Sequence, residues 1–354
     1  MTGAPPARSG PAALSGPRAE KTVCLALQGG GAHGAFTWGV LDAILEDGRL
    51  AIEAVTGASA GAMNAVVMAE GFMEGGIEGA RAQLEAFWRR IAIGGSLSPV
   101  QRGLANAFLS AWSPDRFPAL LWGGLLSHVS SPYDFNPLNI NPLRDAIADL
   151  IDFERVRACT GVKLFVSATN VFTGKIRIFE AHELTADHLM ASACLPTIFQ
   201  AVEIDGEPYW DGGYMGNPAI YPVIYGAGAL DVLLVQINPL ERREVPRSAA
   251  QIHARLTEIT FNGGLLRELR AIDFVSRLVD EGRLPEGGYK RLRMHRIDGA
   301  GLLDDLSASS RLTPGWDMLT DLRDRGRAAA QAWLARHYEA IGERGTLDLR
   351  GAYS

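Results

Sequence analysis

Cysteine is scarce. Cys24, Cys159 and Cys194 are the only three in 354 residues, too few and too scattered for a disulfide framework and without the Cys-x-x-Cys spacing of zinc or redox sites. The expectation is a reducing, cytoplasmic setting with no metal and no cofactor. Positive charge is not in surplus either: 34 Lys and Arg against 40 Asp and Glu leave a formal net charge of −6, which excludes the basic surface that a nucleic-acid partner requires. Long apolar runs are missing as well. The run Pro118 to Leu126 falls far short of the ~20 residues that span a bilayer, so any contact with a membrane is expected to be peripheral and transient. Residues 1–20 are Pro, Ala, Gly, Ser and Arg without the apolar segment of a signal peptide, and read as a disordered leader.

What is present is an ordinary globular composition, 47% hydrophobic and 21% charged, with length enough for about two domains at the usual ~150 residues each. Thr22 to Leu27 reads as a strand, Ala35 to Glu46 as an amphipathic helix, Ile52 to Thr56 as a second strand and Ala60 to Phe72 as a second helix. Further strands are expected at Val162–Ala168, Lys175–Glu180, Ala201–Ile204, Pro208–Trp210, Leu230–Ile237 and Arg291–Ile297. This alternation predicts an α/β fold, a three-layer sandwich around a mostly parallel central sheet. Residues 84–141 break the alternation with Trp112, Phe117, Leu120, Leu121, Trp122 and Leu125 and read as an inserted helical and aromatic cap. Residues 21–240 would then form the catalytic α/β domain, and 241–354 a helical extension packed on it, with long helical patterns at Ala249–Glu281 and Trp316–Ile341.

Three motifs carry chemistry. Gln28-Gly29-Gly30-Gly31-Ala32-His33-Gly34 lies between the first strand and first helix, where glycines leave backbone N–H groups free to face an anion. Its Gly29-x-Gly31-x-x-Gly34 spacing suits a dinucleotide pyrophosphate, with Glu53 as the ribose acid, and it suits an oxyanion hole equally. Gly57-Ala58-Ser59-Ala60-Gly61 sits between a strand and a helix, the setting of a nucleophile elbow, and its small flanking residues meet the steric demand of that turn. The carboxyl end of strand two, where a ribose-binding acid belongs, is thus occupied by the serine turn, which weakens the nucleotide reading. Asp211-Gly212-Gly213 follows a hairpin that turns at Asp205-Gly206. There Asp211 can act as general base toward Ser59.

Taken together and in this order, these segments resemble the patatin-like phospholipases, most clearly over Val23–Phe72 and again over Ala191–Pro222, including Ala191-Ser192-Ala193-Cys194-Leu195-Pro196. The resemblance implies a serine lipid acyl hydrolase of phospholipase A or esterase type. It implies a Ser59–Asp211 dyad in place of a triad, elbow glycines Gly57 and Gly61, a loop of Gly212 and Gly213, and an oxyanion hole from the backbone of Gly29, Gly30, Gly31, Ala32 and Gly34. The partner would be a lipid or ester substrate at a membrane or lipid-aggregate surface. The apolar and aromatic side chains of Trp112 to Phe135 suit either a lid over the site or buried core. His33 stands where many family members carry Arg or Lys, and reads as a loop-packing residue. A Ser-His-Asp esterase, thioesterase or polyester depolymerase remains an alternative, because His253, His295 and His337 follow Asp211 in the order of a triad. His253 and His337 fall in helical patterns, and His295 in a strand read as solvated. Burial must also strengthen Asp211, since a free Asp with a pKa near ~3.9 is a poor base for an alcohol.

Overall fold

The computed structural model describes residues 13–92, 131–139, 141–284, 288–303 and 315–353. Within them one sheet organises the chain, built from β1 (Lys21–Leu27), β2 (Leu50–Ala58), β3 (Lys163–Asn170), β4 (Ile176–Glu180), β5 (Val202–Ile204), β6 (Glu207–Asp211), β7 (Asp231–Gln236) and β8 (Arg293–Asp298). Their order is β5-β6-β3-β2-β1-β7-β8, with β4 also paired to β3. The five strands from β3 to β8 along this order run parallel, while β4 and the β5–β6 hairpin add an antiparallel edge. The hairpin turns through Asp205 at φ 53° and Gly206 at φ 80°, the left-handed pair that matches strand twist in a two-residue loop.

Helices cover both faces: α1 (Gly34–Asp47), α2 (Ala60–Ile91), α3 (Ala186–Ser192), α4 (Tyr221–Gly226), α5 (Ala249–Asp280) and α6 (Trp316–His337). The alternation of β1 explains the two layers. Val23, Leu25 and Leu27 join a core with α1, α2 and α6, whereas Cys24 and Ala26 join a second core with Ile220, Val223 of α4, and Leu265 and Leu269 of α5. Helix α6 lies tightly along α1. Gly39 faces the backbone of Arg323, and Gly326 faces that of Phe36, so neither position has room for a Cβ.

Three boundaries differ from the sequence expectation. Within the expected leader, Leu14 is buried and exchanges backbone hydrogen bonds of 2.9 and 2.8 Å with Ile52, because an apolar side chain there finds backbone groups of β2 to pair with. The cap does not begin at residue 84, because α2 bends at Gly75–Gly76 and then continues to Ile91 with Leu84, Phe87 and Trp88 in the main core. The expected cap aromatics Trp112, Phe117, Leu120, Leu121, Trp122 and Leu125 lie outside the described residues. The C-terminal part, finally, is not only helical: β8 completes the sheet, and the N–H groups of Thr346 and Leu347 both donate to Met294 O on its outer side, at 2.9 and 3.0 Å.

Candidate active site

Ser59 sits where β2 becomes α2, at φ 51° and ψ −125°, a region of backbone space that a non-glycine residue occupies only when its surroundings hold it there. The surroundings are glycine. A Cβ on Gly57 would lie 2.7 Å from Ala62 N, and one on Gly61 would strike the Leu27 carbonyl, so only these small residues let strand and helix meet at so sharp a turn. The amide of Ser59 donates to Ser192 Oγ at 2.9 Å, which ties the turn to α3.

Sheet register brings Asp211 to it. Ala58 pairs with Ser167 of β3, and the next residue, Ala168, pairs with Asp211 at the end of β6. Thr169 Oγ1 donates to Asp211 O at 2.8 Å, and Asp211 N donates to Cys194 O at 2.8 Å. Gly212 lies against the Ser167 backbone, and Gly213 against the Phe261 ring of α5. The Asp211 carboxylate is fully buried and accepts one hydrogen bond, from Gly213 N at 2.7 Å. Burial drives its pKa up to about 7, an effect that the Gly213 amide and the nearby Ser59 hydroxyl only partly offset. Ser59 Oγ and Asp211 Oδ2 are both buried, and neither has a hydrogen-bond partner of good geometry among the described residues.

The glycine loop completes the cluster. A Cβ on Gly29 would come within 2.6 Å of Ala58 O and 2.8 Å of Ser59 Cβ, so this loop touches the elbow directly. Side-chain amides hold it in place. Asn217 Oδ1 accepts from Gly29 N at 2.6 Å, Asn238 Nδ2 donates to Gly29 O at 2.7 Å, and Gln28 is bonded to Asn217, Asn262, Ile237 and Asn238. On the other flank, Asn64 Nδ2 donates to Gly34 O and Ala60 O, each at 3.0 Å, and Trp88 Nε1 donates to Asn64 Oδ1 at 3.0 Å. These bonds correct the expected donor set. The Gly29 amide is committed to Asn217, and that of Gly34 turns back onto the carbonyls of Gly31 and Ala32. Among the described residues, the N–H groups of Gly30, Gly31 and Ala32 alone in the loop have no acceptor, and Gly31 adopts the left-handed φ of 57° that glycine allows. His33 N closes the turn onto Gly30 O at 3.2 Å, with its ring half-buried.

Glu53 and His295 serve neither alternative. Glu53 lies toward the opposite end of β2 from Ser59, where its carboxylate accepts from Gly228 N and Ala229 N, both at 2.7 Å, and pairs with Lys163 at 3.2 Å. A ribose hydroxyl at the glycine loop cannot be its partner. His295 is not on a solvated face: it is fully buried, with Nε2 3.0 Å from Asp231 Oδ1 and Nδ1 3.0 Å from Thr346 Oγ1. Asp231 is the first residue of β7, whereas Ser59 follows the last residue of the parallel β2, so this pair belongs to the opposite end of the sheet. His337 packs beside Trp333, with ring centroids 5.7 Å apart, at the end of α6. His253 falls on α5 with its side chain outside the described residues. No group of three metal-ligating side chains and no helix long and apolar enough to cross a membrane occurs among the described residues.

Residues 25–224 match the family model described as patatin-like phospholipase. The chain therefore belongs to the patatin-like phospholipases and is a lipid ester hydrolase. Among solved structures, VipD from Legionella pneumophila aligns at 16% identity with a TM-score of 0.43, over 95% of this chain and 72% of that one. Full-length ExoU in complex with SpcU, from the type III secretion system of Pseudomonas aeruginosa, aligns at 14% identity with a TM-score of 0.29, over 100% of this chain and 83% of that one. No curated protein matches the sequence.

Proposed function

We propose that the chain hydrolyses lipid acyl esters through a Ser59–Asp211 dyad and an acyl-enzyme. The observation that carries this reading is the meeting of two buried, unsatisfied oxygens, Ser59 Oγ and Asp211 Oδ2, beside a loop with three uncommitted N–H groups. Buried polar atoms ordinarily find partners, and an attacking hydroxyl, its base and an oxyanion need these three features. Ser59 Oγ attacks the ester carbonyl as its proton passes to Asp211. The carbonyl oxygen takes up negative charge and is met by the amides of Gly30, Gly31 and Ala32. Collapse breaks the bond to the leaving alcohol, which receives the proton from Asp211. Water then attacks the acyl-Ser59 ester, again with Asp211 as base, and releases the acid. Each oxyanion donor is worth about 2.7–4 kcal/mol of barrier. The three cysteines, all buried and unpaired, support a reducing compartment.

Labelling with a fluorophosphonate probe, together with turnover of a short p-nitrophenyl ester, tests the proposal. Wild type is expected to label and turn over. Ser59→Ala should lose labelling and about a thousandfold or more of turnover, and Asp211→Ala should lose turnover while staying folded. A folded wild type that neither labels nor hydrolyses would overturn it.

A further inference from the structure

Helix α5 carries apolar side chains on two opposite faces, and only one of them is covered. The inner face holds the active site together: Phe261 packs against Gly213, Asn262 accepts from Gln28 Nε2 at 3.2 Å, and Glu268 accepts from Ile220 N and Tyr221 N at 2.7 and 2.8 Å. On the outer face Ile252, Leu256, Ile259 and Phe274 are 44%, 57%, 54% and 53% exposed. With about 3.6 residues per turn, these four fall in a strip roughly 60° wide and about 33 Å long, diametrically opposite Phe261. Between Ile259 and Phe274, Arg270 lies on the same strip and Arg267 at its margin, both exposed and with no carboxylate partner among the described residues. A helix apolar on both sides is normally buried on both, and the exposed cluster Ile252, Leu256 and Ile259, with Phe274 about 22 Å farther along the helix, marks an interaction surface.

The two unpaired guanidiniums select the occupant. In a chain of net charge −6, a locally cationic, apolar strip is attracted to, and turned toward, a negatively charged surface into which side chains can sink, which describes a bilayer containing anionic phospholipid. We infer that the outer face of α5 is the surface by which this protein rests on such a bilayer. The inference rests on the hydrolase reading only in that the bilayer supplies the substrate.

Flotation of the Ser59→Ala protein with vesicles tests docking without turnover. It should float with mixed phosphatidylcholine and phosphatidylserine vesicles and far less with phosphatidylcholine alone. Leu256→Glu with Ile259→Glu should cut binding at least tenfold, and Arg267→Gln with Arg270→Gln roughly thirtyfold on the anionic vesicles only, given the usual contribution of a basic residue near such a surface. In a Ser59 background, both pairs should keep soluble-ester turnover within about twofold of wild type, since surface changes away from a site perturb little. Flotation unchanged by both pairs overturns the inference. So does a wild type that never floats but forms a dimer that Leu256→Glu with Ile259→Glu dissociates, for then the face meets a second copy. Flotation that follows the prediction in a protein without esterase activity would remove the hydrolase reading and leave the docking face standing.

Discussion

Asp211 is tuned by where it is put. A carboxyl group with no solvent exposure and a pKa of about 7 is a far stronger base than a free aspartate, and it reaches that strength only as it ionises. Soluble-ester kcat/KM should therefore rise with pH along a single-ionisation limb with its midpoint near 7 and level off above it; a midpoint near 4 would remove Asp211 as the base. The same burial is a cost in stability. A group whose pKa is raised by folding favours the folded state at low pH and loses that contribution as pH rises through the folded value. Asp211→Asn should therefore unfold at higher denaturant concentration than wild type at pH 8, by at least about 1.4 kcal/mol, the worth of one pKa unit, with a smaller gain at pH 5. Gly29 is constrained in another way, because Gly29→Ala puts a methyl group against Ser59 Cβ. A displacement of the nucleophile by an ångström should cost roughly a hundredfold in kcat.

Between elements, side-chain amides do what neither strand nor helix can do alone. Asn64 joins the start of α1 to the start of α2 and takes the Trp88 indole N–H. Asn64→Ala leaves that buried indole N–H without a partner and removes the side-chain link between Gly34 O and Ala60 O, and should destabilise the protein by about 1–3 kcal/mol in urea unfolding. Asn217→Ala frees the Gly29 amide, and should lower kcat roughly 10- to 100-fold through loss of loop position rather than of substrate binding, leaving KM nearly unchanged. These asparagines mark the limit of what the sequence discloses. The elbow, the glycine loop and Asp211 are legible because each needs small residues or a turn signal beside a strand end, which is a local demand. Asn217, Asn238 and Ser192 act on partners some 130 to 210 positions away, and nothing around them in the chain distinguishes them from loop residues. The division of amides within the glycine loop is hidden for the same reason, since Gly29 is excluded as a donor only once Asn217 is beside it. The expected end of the second helix at Phe72 fails in the opposite sense, because α2 bends at Gly75–Gly76 and continues to Ile91.

Across the whole molecule, the two ends of the parallel sheet have separate tasks. The end beside Ser59 holds the unsatisfied oxygens of Ser59 and Asp211, whereas at the opposite end Glu53 and Asp231 are both paired. Burial alone would raise the pKa of Asp231, but hydrogen bonds from His295, Arg293 and Gly342 N reverse this and hold it near 2. The alternation of Arg291-Leu292-Arg293-Met294-His295 places His295 on the side of the arginines, and the cover that Trp333 of α6 supplies there is invisible in that stretch of sequence. His295→Ala should lower stability by about 2 kcal/mol while leaving ester turnover per folded molecule unchanged; a thousandfold loss of turnover would reinstate a histidine-dependent mechanism.

The C-terminal segment has a further effect through its two hydrogen bonds to Met294. An unprotected border strand invites another chain to extend the sheet. Here the protein's own tail occupies the Met294 carbonyl on the outer side of β8, while the other borders are β4, five residues long, and β5, three residues long. A second copy can extend the sheet at β8 only by first displacing the tail from Met294, so that border is guarded by a contact within the chain itself.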